Sequence, residues 1–341
     1  MVHKLALIGF GTVSQGLAKL LLEQTEKIKQ QGAEFQVVAI ATNSRGSVYD
    51  PEGLDLNAAL EAVQAGSFDN YSGGKKGWDS LKIINESNAD VVVENTLTNL
   101  DDGEPALSHF KASLQQGKHV ITANKGPVVL AYSELMELAK ANNAHLLIEG
   151  TVMSGTPVLN LSHFGLGGCN IHEVQGILNG TTNYILTQME TGMSYANALK
   201  QAQELGFAEA DPTADVEGWD ALAKVVILAS VIMGVDLKVS EVEREGITNI
   251  SIDDVEKAKA DGKRWKLIGQ VKNENGSVKA SVKPMLVSLS DPLAAVGAAM
   301  NAITFYTDVL KSVTITGAGA GGPQTGFAIL SDLLELHRKF Q

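Results

Sequence analysis

Near its start the chain runs four apolar residues, Leu5 to Ile8, directly into Gly9-Phe-Gly11 and then into a stretch with helical periodicity. A short uninterrupted apolar run suits a strand buried on both faces of a parallel sheet. Thr12 to Lys29 reads as one helix with Val13, Leu17, Leu20, Leu21 and Leu22 turned inward. Strand, tight glycine turn and helix N-terminus together aim main-chain amides at an anion such as a pyrophosphate. Ser14 stands where the third glycine of the usual G-x-G-x-x-G turn would be, and Gly16 follows two residues later. Serine is still small enough for a helix to pack closely on its strand. This opening commits the first part of the chain to an α/β fold with a dinucleotide-type site.

The segments that follow fit the same plan. Gln36 to Ala41 reads as the second strand, and the chain beyond it carries Asn43-Ser-Arg45 with no acid before Asp50. An acid at that place reads a ribose 2′-hydroxyl, whereas an arginine among small polar residues suits a 2′-phosphate. NADP(H) is therefore expected over NAD(H); the bland alternative is that Arg45 is a solvated loop residue. Residues 51–80 read as a long polar insert whose Lys75 and Lys76 are within reach of the same phosphate. Asp90 to Glu94 is a further strand, followed by Asn95-Thr-Leu-Thr98, and open parallel sheets bind ligands beyond such strand ends. Gly117 to Pro127 reads as a strand and then a loop bearing Asn124-Lys125. His145 to Ile148 leads into Glu149-Gly-Thr-Val-Met-Ser-Gly-Thr-Pro157. A carboxylate beside a glycine-containing turn offers clustered oxygens to a hard cation, or it is simply a strand-to-helix connection capped at Thr156-Pro157.

The second part of the chain carries the densest chemistry. Glu209 to Lys224 sets five carboxylates and one lysine where an apolar helix begins. Asp211-Pro212 is a helix-start signal, and a helix running on from it makes Asp220 and Lys224 i,i+4 neighbours. Val225 to Gly234 is almost wholly apolar and reads as buried, so an aspartate and lysine leading into it are costly unless paired or used. Upstream, Asn179-Gly-Thr-Thr-Asn183 permits close backbone approach and offers amides and hydroxyls to a polar ligand; a plain glycine turn is the alternative. Ser277 to Leu289 alternates like an antiparallel strand, with Ala302 to Tyr306 and Ser312 to Thr316 as two more. Gly317-Ala-Gly-Ala-Gly-Gly322 then leads into a helix from Thr325 to Lys339.

Composition narrows the class of function. The net charge of −12 gives no basic face for nucleic acid and does not favour an anionic membrane surface. The longest apolar run is too short to span a bilayer. A lone cysteine, Cys169, makes no internal disulfide and suits a reducing cytoplasm. The first residues run straight into a strand, so no leader peptide is expected. No His/Cys spacing suggests zinc or iron, and His163 and His172 receive no role.

Taken together, the glycine loop at Leu7 to Gly16, the Gly176 to Leu186 segment and above all Gly206 to Lys224 resemble the homoserine dehydrogenases, and the resemblance extends to Gly322. It implies a Rossmann-type doubly wound parallel sheet, residues 1–148 with 318–341, and an α+β catalytic and dimerisation region with a mixed or antiparallel sheet, residues 149–317. It also implies the compact form of the family, without a C-terminal regulatory module or its feedback inhibition. The implied reaction interconverts L-aspartate 4-semialdehyde and L-homoserine, on the route to threonine, methionine and isoleucine. Lys224 is then the proton donor, with Asp220 orienting it and offsetting its burial, and Lys125 is a second cation and alternative donor. Glu209 and Asp215 hold the substrate amino group, and Gly180 and Thr181 contact its polar backbone. Gly9, Phe10, Gly11, Thr12, Val13, Arg45, Thr96 and Lys125 serve the nicotinamide cofactor. A sodium ion takes ligands from Glu149, Val152, Ser154 and Thr156, and the protein is a cytoplasmic homodimer. Two rivals stay open: a nucleotide-binding sensor that kept the fold without catalysis, and an amino-acid dehydrogenase with another substrate. A glycosidase is not indicated, because the nucleotide loop and lysines would have no task there.

Overall fold

The structure, a computed structural model, describes residues 2–341. Two compact units emerge, Met1–Gly155 with Gly321–Gln341, and Thr156–Ala320. The first holds β1 (Val2–Ile8), α1 (Thr12–Glu23), α2 (Thr25–Gln30), β2 (Glu34–Ala41), β3 (Ser47–Tyr49), α3 (Leu56–Gln64) and β4 (Lys75–Lys76). It continues with α4 (Ser80–Glu86), β5 (Val91–Glu94), α5 (Ala106–Gln115), β6 (His119–Thr122), α6 (Lys125–Ala141) and β7 (Leu146–Leu147). The second unit holds α7 (Val158–Asn160), β8 (Ile171–Ile177), α8 (Gly180–Met189), α9 (Tyr195–Glu204), α10 (Thr213–Val216), α11 (Trp219–Met233) and β9 (Glu243–Arg244). After these come α12 (Ile252–Ala260), β10 (Lys263–Glu274), β11 (Ser277–Ser288), β12 (Met300–Thr307) and β13 (Lys311–Ala318). The chain then re-enters the first unit as α13 (Gly322–Arg338).

The first unit is a seven-stranded sheet in the order β4-β3-β2-β1-β5-β6-β7. Strands β2, β1, β5, β6 and β7 run parallel, and β3 and β4 add an antiparallel edge. Alternation along fully buried strands divides the core in two. Leu5, Leu7, Val37, Val91, Val93 and Ile121 face α1, α3 and α13, while Ala6, Ile8, Val38, Val92 and their neighbours meet α4 and α5. Because β1 pairs with β2 on one side and β5 on the other, the order reverses at β1, and ligands of such sheets bind beyond the strand ends at that reversal.

The stretch 12–29 is two helices rather than one. Thr25 Oγ1 donates back to the carbonyls of Leu21 and Leu22, the chain turns at Gln24, and Leu22 lies 37% exposed. Within 51–80, α3 is capped by Asp55, whose carboxylate accepts from the amides of Asn57 and Ala58, and it buries Ala59, Leu60, Ala62 and Val63. The polar residues flanking this helix mask its apolar stripe in the sequence.

The second unit is a six-stranded mixed sheet, β13-β12-β8-β10-β11-β9, in which only β9 runs parallel to its neighbour. The apolar run of α11 packs against this sheet, burying every residue from Ala221 to Ser230. A Cβ at Gly269 would stand 2.7 Å from Val225 Cγ2 and 2.7 Å from Leu178 Cδ1, so a glycine in β10 lets the helix approach. The strand expected over Ser277 to Leu289 ends at Ser288 and pairs residue for residue with Lys263 to Glu274, a partner strand not expected from the sequence.

Candidate active site

In the first unit the glycine turn does what its composition dictates. Gly9 has φ +88°, and a Cβ there would meet the Asn95 carbonyl at 2.4 Å, so the turn is free only to glycine. Its amide donates to the Ala41 carbonyl at 2.8 Å, joining the ends of β1 and β2. Gly11 occupies the N-cap of α1, so no side chain caps the helix and no acid lies in its first turn. Thr12 and Val13 open that turn. An uncapped helix N-terminus at the strand reversal offers free first-turn amides and the positive end of the helix dipole to an anion. Phe10 is buried in the core of the unit, and its carbonyl accepts from Gln15 Nε2 at 3.0 Å. Ser14 is fully buried and accepts from Asn95 Nδ2 at 3.3 Å, which ties α1 to the end of β5.

Arg45 sits in the exposed turn after β2. Thr42 Oγ1 donates to the Gly46 carbonyl at 2.8 Å and accepts the Arg45 amide at 2.9 Å, so the turn is held while the guanidinium faces solvent. Lys75 lies over the rings of Tyr49 and Trp78, and Lys76 Nζ donates to the Asp69 carbonyl. Thr96 is half-buried beyond β5, and its hydroxyl donates to Glu94. Lys125 is the first residue of α6 rather than a loop residue. Asn124 caps that helix, its Oδ1 accepting from the Gly126 amide at 3.1 Å. Glu149 is buried, and its amide donates to Asp332 Oδ2 at 3.0 Å. Burial, followed by the charge of Glu149, pushes the Asp332 carboxyl well above the usual carboxylate range. Val152 and Ser154 are buried beyond Glu149, with Ser154 Oγ 2.7 Å from Thr325 Oγ1. Met153 and Ser154 both adopt left-handed backbone, φ 58° and 55°.

In the second unit Asn179 proves to be the hub. It caps α8, its Oδ1 accepting from the Thr182 amide at 2.9 Å, so Gly180 and Thr181 form the first turn of a helix rather than an isolated glycine turn. Its Nδ2 donates to Asp215 Oδ1 at 2.7 Å and to Asp220 Oδ2 at 3.0 Å. Lys224 Nζ donates to Asp220 Oδ2 at 2.8 Å and to the Leu178 carbonyl at 2.6 Å, and the lysine is only 6% exposed. The helix expected to run on from Asp211-Pro212 is interrupted at Gly218, φ +81°, between α10 and α11. Asp215 and Asp220 therefore come from different helices and reach Asn179 from both. Arg244 holds this break, its guanidinium 3.7 Å above the Trp219 ring and its NH1 on the Glu217 carbonyl. Burial raises the Asp215 carboxyl above its ordinary range, an effect opposed by its bond to Asn179.

Glu209 stands apart from this cluster. It is exposed on the loop after α9, its main-chain carbonyl accepting from Gln203 Nε2 at 3.1 Å. Thr181 Oγ1 secures the same loop through the Phe207 carbonyl at 2.6 Å. Thr156 Oγ1 donates to the Ala318 carbonyl at 3.2 Å. Asn183 holds the carbonyls of Val296, Ala298 and Met300, and buried Lys266 donates to Asn183 Oδ1 and the Val296 carbonyl. Burial brings the Lys266 ammonium down to about 8. Asn179 enters the sequence reading only within its Asn179-Gly-Thr-Thr-Asn183 segment and Glu94 only as the end of a strand, while His109 and Lys266 carry no signal there, because the partners His109 and Lys266 meet lie elsewhere in the chain.

Two family models match this arrangement: the homoserine dehydrogenase model covers residues 157–334, and its NAD-binding domain model covers residues 9–149. The chain belongs to the homoserine dehydrogenase family. It is accordingly an NAD(P)-dependent oxidoreductase acting on a small-molecule substrate. It is 46% identical to an NAD(+)-dependent homoserine dehydrogenase of Pseudomonas canavaninivorans over 98% of this chain and 96% of that one. With the homoserine dehydrogenase of Methanocaldococcus jannaschii it shares 44% identity over 97% of each chain. Among solved structures, a hyperthermophilic archaeal homoserine dehydrogenase in complex with NADPH superposes with a TM-score of 0.86 at 31% identity, covering 100% of this chain and 99% of that one. The Thiobacillus denitrificans homoserine dehydrogenase gives a TM-score of 0.87 at 31% identity, and there the match spans 74% of the longer chain. The α/β architecture, with a parallel nucleotide-binding sheet and a second mixed sheet, is that of the homoserine dehydrogenases. No helix among the described residues is long and apolar enough to cross a membrane.

Proposed function

We propose that this homoserine dehydrogenase reduces L-aspartate 4-semialdehyde to L-homoserine with NADPH, in the supply of threonine, methionine and isoleucine, with Lys224 as proton donor. The observation that carries this reading is the buried Lys224. Its ammonium has three N–H groups, of which Asp220 and the Leu178 carbonyl engage two, leaving one for a ligand oxygen. A reduced nicotinamide supplies the hydride. As negative charge develops on the aldehyde oxygen, the Lys224 ammonium stabilises it and hands over a proton. Asp220 orients the ammonium, and Asn179 holds Asp220 and Asp215 in one constellation. Asp215 and Glu209 receive the substrate ammonium, with Gly180 and Thr181 against the substrate backbone. Lys125 serves as a second cation beside the carbonyl.

The uncapped turn from Gly9 to Val13 takes the pyrophosphate, with Thr96 toward the nicotinamide. Arg45, on a turn with no acid, favours the 2′-phosphate of NADP(H). NAD(H) is the alternative, the cofactor carried in the name of the Pseudomonas relative. Glu149, Val152, Ser154 and Thr156 are proposed to hold a monovalent cation such as sodium. In support, Glu149 and Asp332 are two carboxylates buried against each other, an arrangement a bound cation would relieve. We further propose a cytoplasmic homodimer. Leu286 on β11, Met300 on β12 and Val309-Leu310 at the β12–β13 turn leave large apolar side chains exposed on the second unit, as an interface would use.

The test is absorbance of reduced nicotinamide during L-homoserine oxidation, with NADP and NAD in parallel. Turnover with NADP preferred supports both the reaction and Arg45; turnover with NAD preferred keeps the reaction and removes Arg45 as a phosphate ligand. A folded chain that binds NADPH but turns over neither would overturn the catalytic reading.

A further inference from the structure

Strand β5 ends on Glu94, a carboxylate with no solvent exposure at all. A buried carboxylate is costly unless every lone pair finds a donor, and an apolar residue would finish this strand at less cost to stability. Glu94 instead collects three donors from three parts of the chain. The Thr96 hydroxyl and His109 Nδ1, the latter at 3.1 Å, meet Oε1, while Asn124 Nδ2 meets Oε2 at 3.2 Å. His109, on α5, is itself 5% exposed. The main chain repeats the tie: Thr122 Oγ1 donates to the Glu94 carbonyl at 2.6 Å and accepts the Asn124 amide at 2.8 Å.

These contacts dictate polarity as well as position. An ionised carboxylate only accepts, so Thr96 must donate inward and Asn124 must turn its NH2 inward. Asn124 Nδ2 also reaches the Thr96 hydroxyl oxygen at 3.5 Å, so that hydroxyl is held by both the carboxylate and the amide. The Asn124 oxygen is left to cap α6 at the Gly126 amide, which sets the first turn of the helix that begins at Lys125. A second bond from Asn124 Nδ2, to the Thr96 carbonyl at 3.2 Å, locks the two together. The first turn has little room to shift, because a Cβ at Gly126 would lie 2.3 Å from the Asn99 carbonyl.

We propose that Glu94, held by His109, is a positioning residue for the dehydrogenase reaction: through Asn124 and Thr96 it sets where Lys125 begins its helix and which way the Thr96 hydroxyl points. The inference rests on the homoserine reading given above. The experiment compares the unaltered chain with Glu94→Gln and with the double variant Glu94→Gln/Asn124→Asp, measuring kcat and KM for L-homoserine and NADPH binding by fluorescence. A glutamine can accept from one side only, so kcat should fall about tenfold, the scale of one charge-assisted hydrogen bond, with NADPH affinity changed less than about threefold. In the double variant the introduced side-chain amide donates to the introduced carboxylate, which still caps α6, and kcat should recover at least about threefold over the single variant. An unchanged kcat in folded Glu94→Gln, or no recovery in the double variant, overturns the proposal. Should Glu94→Gln fail to fold, His109→Phe removes a donor from Glu94 and must also lower kcat; an unchanged kcat there overturns it equally. No turnover by the unaltered chain would reject the homoserine reading itself, whereas an active unaltered chain with an equally active Glu94→Gln rejects this inference alone.

Discussion

At the scale of single residues, burial decides which side chains carry information. Lys224 and Asp220 were legible because an i,i+4 pair at the start of an apolar helix is visible in the letters. Asn179 and Glu94 were not, because each joins one near neighbour to two partners well away in sequence, Asp215 and Asp220 for Asn179 and His109 and Asn124 for Glu94. Half-buried histidines show the same principle outside the site. His119 accepts the His145 amide at 3.1 Å and stacks near His145 and Phe340, with ring centroids 5.4 Å and 5.2 Å away. Burial first, and then the neighbouring charges of His145 and His3, bring His119 down to about 4. A histidine with a depressed folded pKa contributes stability that is present above its unfolded value near 6.5 and is lost as pH falls toward about 4. The contribution is on the order of 1–2 kcal/mol after discounting for partial exposure. Thermal midpoints between pH 7 and pH 4.5 should therefore fall less steeply in His119→Gln, whose side-chain oxygen still accepts the His145 amide. Equal slopes in the two proteins would contradict this.

Elements were read more reliably by type than by extent. The buried stretches Leu5 to Ile8 of β1 and Val91 to Val93 of β5 announced themselves as unbroken apolar runs. Helices broken by local hydrogen bonding or by one glycine did not: Thr25 ends α1 by bonding back to its carbonyls, and Gly218 separates α10 from α11. Helix α3 was hidden because its stripe of Ala59, Leu60, Ala62 and Val63 lies within polar surroundings. The packing of α1 on α13 supplies a prediction at this scale. A Cβ at Gly16 would lie 2.4 Å from the Gly322 carbonyl, and one at Gly326 would lie 2.5 Å from the Leu17 amide nitrogen. Glycines on both helices thus let the two backbones meet, and Gly16 carries much of the close-packing duty of the G-x-G-x-x-G turn. Gly16→Val should cost about 1–3 kcal/mol, since backbone rather than a flexible side chain must yield. Urea unfolding at constant m-value would show it, and an unshifted midpoint would refute the crossing.

Across the whole molecule, the sequence and the structure agree on a parallel nucleotide-binding sheet and a second mixed sheet, and both are those of the homoserine dehydrogenases. The nucleotide unit presents an uncapped helix beside the strand reversal, and the other unit presents a buried lysine among two carboxylates and one amide. As proposed above, this lysine moves the proton. The most direct measurement is turnover of L-homoserine by Lys224→Ala, taken alongside NADPH binding to the same preparation. Removing the proton donor should lower kcat on the order of 10²–10⁴-fold, with NADPH affinity kept within about threefold. A variant that binds NADPH and turns over L-homoserine within about threefold of the unaltered rate would contradict it.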